Sequence, residues 1–335
     1  MSSFSLGDLA QTFMLQRQGA ALKANMTRLN EELATGQVSD VKSVLAGNTS
    51  YLSDIERDLK TLSGFRVATT EAAQYAESIQ LSLERVSDSS ESFGTSLLKI
   101  SSNATGSVLD QFSDDAESQL ANIVGVLNTS VGGRSLFAGD ATNQRPMADA
   151  EVILDGLRAA TAGAATPQDL RTAAEIWFND PAGFVATAYT GSATEIAPLR
   201  IGQNEKVSVQ IKGDDPIFKD IIKQYALAAI TGDAAFSFSA TDRQELLAEA
   251  GRSLFSTQTD MTALRAKIGS AQARIDEVGA RNATEQTSLQ FAKGALLQAD
   301  PYETATELEA VQFQLQSLYT VTARMSDLSF VNFVR

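Results

Sequence analysis

Neither histidine nor cysteine occurs in the 335 residues. Their absence removes imidazole general bases, thiolate nucleophiles, disulfides and zinc sites built on imidazole or sulfur. Nucleophilic catalysis would then fall to a Ser–Lys pair or a carboxylate dyad. The chain has no G-x-S-x-G elbow and no G-x-x-x-x-G-K-[ST] phosphate loop. The adjacent acids Asp114-Asp115 and Asp214-Asp215 belong to no spaced set of oxygen ligands such as calcium requires. Long apolar runs are missing as well. No stretch approaches the ~20 residues of a transmembrane helix, and residues 1–19 place Asp8 ahead of Arg17 with no sustained apolar core, unlike a secretory signal. Positive charge is scarce: 27 Lys and Arg against 41 Asp and Glu leave a net charge of −14. With no Lys/Arg cluster, a nucleic-acid partner is not expected. Membrane insertion and a cofactor are not expected either, and the chain reads as a structural protein rather than an enzyme.

Proline is rare and unevenly placed. Of 6 prolines, Pro146, Pro167, Pro181, Pro198 and Pro216 all lie between Gly139 and Thr241, with the single tryptophan, Trp177. Long helices exclude proline from their interiors, so residues 140–240 are predicted to form a separate globular insert, α/β or mostly β. Within it, Thr166-Pro167 reads as N-cap and first position of a helix over 168–178. Val207, Val209 and Ile211 alternate with polar residues as in a half-buried strand, and Arg200-Ile201 is placed to pair with it as a hairpin. A short amphipathic helix is predicted over 218–230.

What the chain has in quantity is helical periodicity. From Thr241 to Ala299, Leu247, Ala250, Leu254, Met261, Leu264, Ile268, Ala271, Ile275, Val278, Leu289 and Ala292 follow spacings of three and four, with Asn282 and Glu285 interrupting the seam. A repeat of 3.5 residues keeps one stripe facing a partner helix, and Thr241 with Gln244 suggests a capping box. Two more long helices are predicted over about 50–100 and 107–131, the second ended by a Gly132-Gly133 loop. The termini repeat the pattern. Leu15, Leu22, Met26, Leu29 and Leu33 precede the Thr35-Gly36 helix end, and Leu308, Val311, Leu315, Leu318 and Met325 follow Pro301, with Leu328, Phe330 and Phe333 crowding the last turns. The predicted fold is mainly α: a long antiparallel helical bundle or coiled-coil rod built by the N- and C-terminal segments, with the insert between them. Three domains are expected: residues 1–36 with 301–335 as a terminal assembly domain, 45–139 with 241–300 as a long-helix bundle, and 140–240 as a globular insert. The thirteen terminal heptad residues are the candidate assembly interface, because a two-helix ending with that much apolar surface has no interior of its own.

Several segments, in this order, resemble the flagellin superfamily. Leu29-Asn30-Glu31-Glu32-Leu33-Ala34-Thr35-Gly36 is similar to its L-x-x-E-L-A-T-G helix end. Asn128-Thr129, followed by Gly133-Arg134-Ser135-Leu136-Phe137-Ala138-Gly139-Asp140, resembles the N-T…G-x-Y-L-F-[SA]-G segment of its hook–filament junction family, and Leu328-Ser329-Phe330-Val331-Asn332-Phe333 resembles that family's ending. The resemblance implies a hook-associated subunit of the bacterial flagellum, exported without a cleaved signal and located outside the cell. Its implied partners are further copies of itself in a helical layer, an adjacent hook-associated protein, flagellin, and an export chaperone on the C-terminal helix. Two alternatives stay open: a flagellin of the filament itself, and a cytoplasmic helical adaptor or signalling rod.

Overall fold

The computed structural model describes residues 6–45 and 49–333, with side chains described for 10–42, 45 and 49–325. The expected apolar contributions of Leu328, Phe330 and Phe333 fall outside those side chains. The architecture is mainly α. In chain order the elements are α1 (Leu6–Thr35), α2 (Val41–Val44), α3 (Ser50–Leu98), α4 (Gly106–Leu127), β1 (Ser130–Val131), β2 (Arg134–Ser135), α5 (Ala150–Thr161) and α6 (Pro167–Asn179). After a π-helical turn over Pro181–Val185 come α7 (Ala186–Ala188), β3 (Leu199–Arg200), β4 (Lys206–Val207), α8 (Pro216–Ile230), α9 (Ala240–Leu297) and α10 (Pro301–Phe333). Both strand pairs are antiparallel two-stranded hairpins. The chain divides into two compact units, Met1–Ser63 with Thr284–Arg335, and Gly64–Ala283.

The second unit holds the large core. Its centre is α8, which is buried throughout from Ile221 to Ile230 and apolar there apart from Lys223, Gln224 and the Tyr225 hydroxyl, as suits a helix with neighbours on most sides. Tyr225 stacks on Phe93 of α3 with ring centroids 5.0 Å apart, and Thr231, just past α8, meets Ser113 of α4 at 3.0 Å. Alongside, α3 and α9 run antiparallel. Gln80 donates to the Arg265 carbonyl at 2.7 Å, Ser87 to Gln258 at 2.7 Å, and a Cβ on Gly251 would sit 3.0 Å from the Gly94 carbonyl. Glycine at that crossing is what lets the two backbones approach so closely.

Three local differences from the predicted elements have identifiable causes. Asn128 leaves the helix because its side chain grips the Met147 backbone from both sides, donating to its carbonyl at 3.1 Å and accepting its N–H at 2.9 Å. So α4 stops at Leu127, Val131 is exposed in β1, and Gly132-Gly133, at φ 57° and 78°, is the turn of a hairpin instead of a helix-ending loop. The α9 cap lies at Ser239, not Thr241: Ser239 and Asp242 satisfy each other's backbone N–H at 3.0 and 3.2 Å. Finally, the insert is richer in helix than its alternating residues suggested, since α5 lies in it with Ile153, Leu154 and Leu157 buried. Thr166 caps α6 through a reciprocal pair with Asp169 behind Pro167, as expected. The expected hairpin forms only in part: Leu199–Arg200 pairs with Lys206–Val207, while Val209 and Ile211 are buried but lie outside the strand.

Candidate assembly surface

The first unit contains few buried apolar side chains, among them Leu29, Leu52, Ile55, Leu62, Leu297 and Leu308. It is organised by α1 and α10. A Cβ on Gly19 would lie 3.3 Å from Leu318, Lys23 places its ammonium 5.7 Å from the Tyr319 ring centroid, and the Gly36 carbonyl accepts from Ala299 N–H at 3.0 Å. As α1 is followed forward, its neighbours on α10 run backward, so the helices are antiparallel. At 1.5 Å rise per residue on both helices, that register sets Leu22 level with Leu315, Met26 with Val311 and Leu29 with Leu308. The predicted heptads therefore face one another inside one chain. Leu29 and Leu308 are buried, Leu15, Leu22, Met26, Val311, Leu315, Leu318 and Met325 are half-buried, and Leu33 is 43% exposed at the end of α1. Below Leu33, Glu32 ties the helix end together, accepting from Arg28 at 2.9 Å and from Ser39 N–H at 2.8 Å.

With the seam spent on the pair, the opposite faces carry a second apolar set. Phe13 lies roughly opposite the seam on α1, while Tyr302 and Phe313, three turns apart, lie opposite it on α10. They are 67%, 84% and 71% exposed, and Phe291 at the end of α9 is 80% exposed. Among the described residues seven large aromatic side chains are exposed, and all but Phe255 belong to this unit. Scattered surface hydrophobics need no explanation, but an aromatic set concentrated on one core-poor unit marks an interaction surface. The sequence showed these residues, yet not which face the seam would leave outside.

The segment Leu136-Phe137-Ala138-Gly139 is placed differently. All four residues are buried, in the second unit. The Phe137 carbonyl accepts from Gly213 N–H at 2.8 Å, the Ala138 carbonyl from Ser192 N–H at 2.9 Å, and Asp140 N–H donates to Thr194 at 3.0 Å. Tyr75 of α3 donates to the Leu136 carbonyl at 3.0 Å, and burial raises its phenol above the ordinary tyrosine range against the opposing effect of Arg134. Gly139, at φ 63°, closes the stitch: a Cβ there would collide with the Thr194 and Ser192 carbonyls at 2.4 and 2.9 Å. These residues join the two sides of the insert and offer nothing to a partner.

The charged groups that line the main cleft of the second unit are likewise occupied. A cleft of about 490 Å³ lies between α6, α8 and α9. There Lys223 donates to Glu175 at 2.7 Å and to Asp220 at 2.9 Å, while Arg171 pairs with Glu249 across to α9. Burial opposes the Lys223 charge, but its two carboxylate partners outweigh that effect and raise its pKa. Among the described residues no group of three or more acids is placed to hold a metal ion, and no helix is long and apolar enough to cross a membrane.

Residues 252–334 match the bacterial flagellin C-terminal helical region. They comprise most of α9 and all of α10, the helices that carry the seam and the outer aromatics. That part of the chain is similar to the flagellin C-terminal region. The similarity supports a flagellar structural role. Among 33 matching solved chains is a "putative flagellar hook-associated protein" from Vibrio parahaemolyticus. It superposes with a TM-score of 0.55 at 13% identity, over 75% of this chain and 99% of its own. At that identity the likeness speaks for the fold. No curated protein matches the chain.

Proposed function

We propose that this chain is a flagellin-superfamily, hook-associated subunit of the junction between hook and filament, and that it assembles through the outer faces of α1 and α10. The observation that carries the reading is the division of labour in the first unit. The heptads Leu15–Leu33 and Leu308–Met325 hold α1 on α10, and Phe13, Phe291, Tyr302 and Phe313 are left for neighbouring copies. Burying one such aromatic contributes about 2 kcal/mol, so a few per contact suffice for cooperative association in a layer. Adjacent hook-associated protein and flagellin would meet the same faces at the two edges of that layer. Export without a cleaved signal, with a chaperone covering α10 beforehand, fits a helix whose exposed aromatics invite premature association. The excess of acidic residues opposes that association in the free protein.

The test is Phe313→Asp combined with Tyr302→Asp. Both side chains are exposed, so the monomer keeps its helicity and its melting temperature, while self-association measured by light scattering and incorporation at the hook end are lost. Normal incorporation of this variant overturns the proposal. A second reading, a flagellin of the filament, is favoured by the match of 252–334 to the flagellin C-terminal region. Immunolabelling separates the two: a thin band at the hook end supports the junction, and label along the filament supports flagellin.

A further inference from the structure

A hairpin made of two two-residue strands does not hold its shape alone. β3–β4 owes its conformation to what it lies on, and it lies on both long helices of the second unit at once. On α9, Asn282 donates to the Ile201 carbonyl at 2.9 Å, and Glu205 accepts from Arg274 at 2.6 Å and from Arg281 at 2.9 Å. On α3, the Arg200 guanidinium sits over the Phe65 ring, 5.7 Å from its centroid, while donating to the Gly202 and Gln203 carbonyls of its own turn at 3.2 and 2.8 Å. At this level the two helices adjoin directly, with Gly279 of α9 facing Thr69 of α3.

Asn282 is the residue that breaks the apolar seam of α9. It is 8% exposed, in a register position where leucine or valine belongs, and its amide is spent on the hairpin backbone. Removing that partner would leave a buried amide unsatisfied. Glu205 and its two arginines are different in kind: their side chains are 26%, 44% and 50% exposed, so salt screens them. The hairpin is thus fixed by one buried polar anchor and closed by one exposed ionic latch.

We infer that β3–β4 is a releasable strap holding α3 against α9, with Asn282 as its anchor and the Glu205–Arg274–Arg281 triad as a salt-sensitive latch. Beneath it α3 presents small residues, Thr69, Ala72 and Ala76, and α9 presents Gly279 alongside the larger buried Ile275 and Val278, so α3 itself buries little area per contact there. Releasing the strap therefore lets residues 64–76 and 272–283 open together, while the α4–α8 core stays closed. The inference does not depend on where in the flagellum the chain is placed.

Hydrogen–deuterium exchange on the full-length protein tests it, with Glu205→Gln and Arg281→Gln as variants and with wild type at low and high salt. The expected result is faster exchange, by about tenfold, in 199–207 and in both helix segments together, and no change in α4 or α8. High salt should move wild type toward Glu205→Gln and leave that variant where it is, with Arg281→Gln in between because its Glu205–Arg274 pair remains. The double variant should match Glu205→Gln, since Glu205 is common to both pairs. Faster exchange in the hairpin alone would make it a passenger and overturn the inference. So would helix segments in wild type that ignore salt.

Discussion

Replacing Gly139 by alanine asks what Leu136–Gly139 is for. At φ 63° an L-residue carries about 1–2 kcal/mol of backbone strain. The new Cβ would lie 2.4 Å from the Thr194 carbonyl and 2.9 Å from that of Ser192, so the backbone must move. Movement weakens the Asp140–Thr194 and Ser192–Ala138 hydrogen bonds, 3.0 and 2.9 Å long, each worth about 1 kcal/mol. The total is about 3 kcal/mol, or roughly 10 °C in Tm for a unit of this size. Gly132→Ala is the internal control. Its φ of 57° carries the same strain, but nothing lies within 4 Å, so it should lose only about 1 kcal/mol. The assay is urea denaturation of the full chain followed by Trp177 fluorescence, the single tryptophan being in the same unit. Equal losses for the two variants would refute the stitch. Unchanged stability of Gly139→Ala with failed assembly would make the segment a docking surface instead.

Other perturbations separate the remaining contributions. Leu308→Ala empties the α1–α10 seam beside Leu29 and should cost about 2–4 kcal/mol of local stability, read as faster amide exchange over 15–33 with residues 64–283 unaffected. Asn128→Ala strands the Met147 N–H and carbonyl and should cost about 2–3 kcal/mol in urea denaturation, whereas Asn128→Asp keeps the acceptor and should cost less. Asp215 is held above the ordinary carboxylate range by burial first, with adjacent Asp214 adding to it against the Lys212 backbone hydrogen bond. Its native state thus binds the proton more tightly than the unfolded chain, and stability rises as pH falls through the raised pKa. Asp215→Asn should therefore stabilise the second unit at neutral pH, the difference shrinking in mild acid; a difference that grows on acidification refutes this.

The long helices and their end-to-end pairing were legible because a 3.5-residue repeat admits few readings, and the register Leu22–Leu315, Met26–Val311, Leu29–Leu308 uses the very residues that the repeat picks out. Which face would meet other copies was not legible. Phe13 and Phe313 are ordinary off-seam residues until the seam is known to be filled from within the same chain. Asn282 was visible as an anomaly in α9, but its cause, the Ile201 carbonyl, lies 81 residues away in a hairpin of four paired residues. Helix α5 was missed because its stripe is short and its neighbourhood holds Pro146, Gly156 and Gly163. Gly156 is there for packing: a Cβ would lie 2.7 Å from the Trp177 ring. The outer boundary of α4 was misread because only the tertiary grip of Asn128 on Met147 ends that helix.

The pairing of α1 with α10 also has a consequence for biosynthesis. Gln11 meets Met325 across 314 residues of chain, so α1 has no seam partner until α10 has been made. Contacts of such sequence separation form late. A chain cut between α9 and α10 keeps every element of the core around α8, yet its first helix stays bare and the outward aromatic face is incomplete. Under the proposed assembly, possession of α10 is the condition for joining other copies, and products that lack it are left out without any separate inspection.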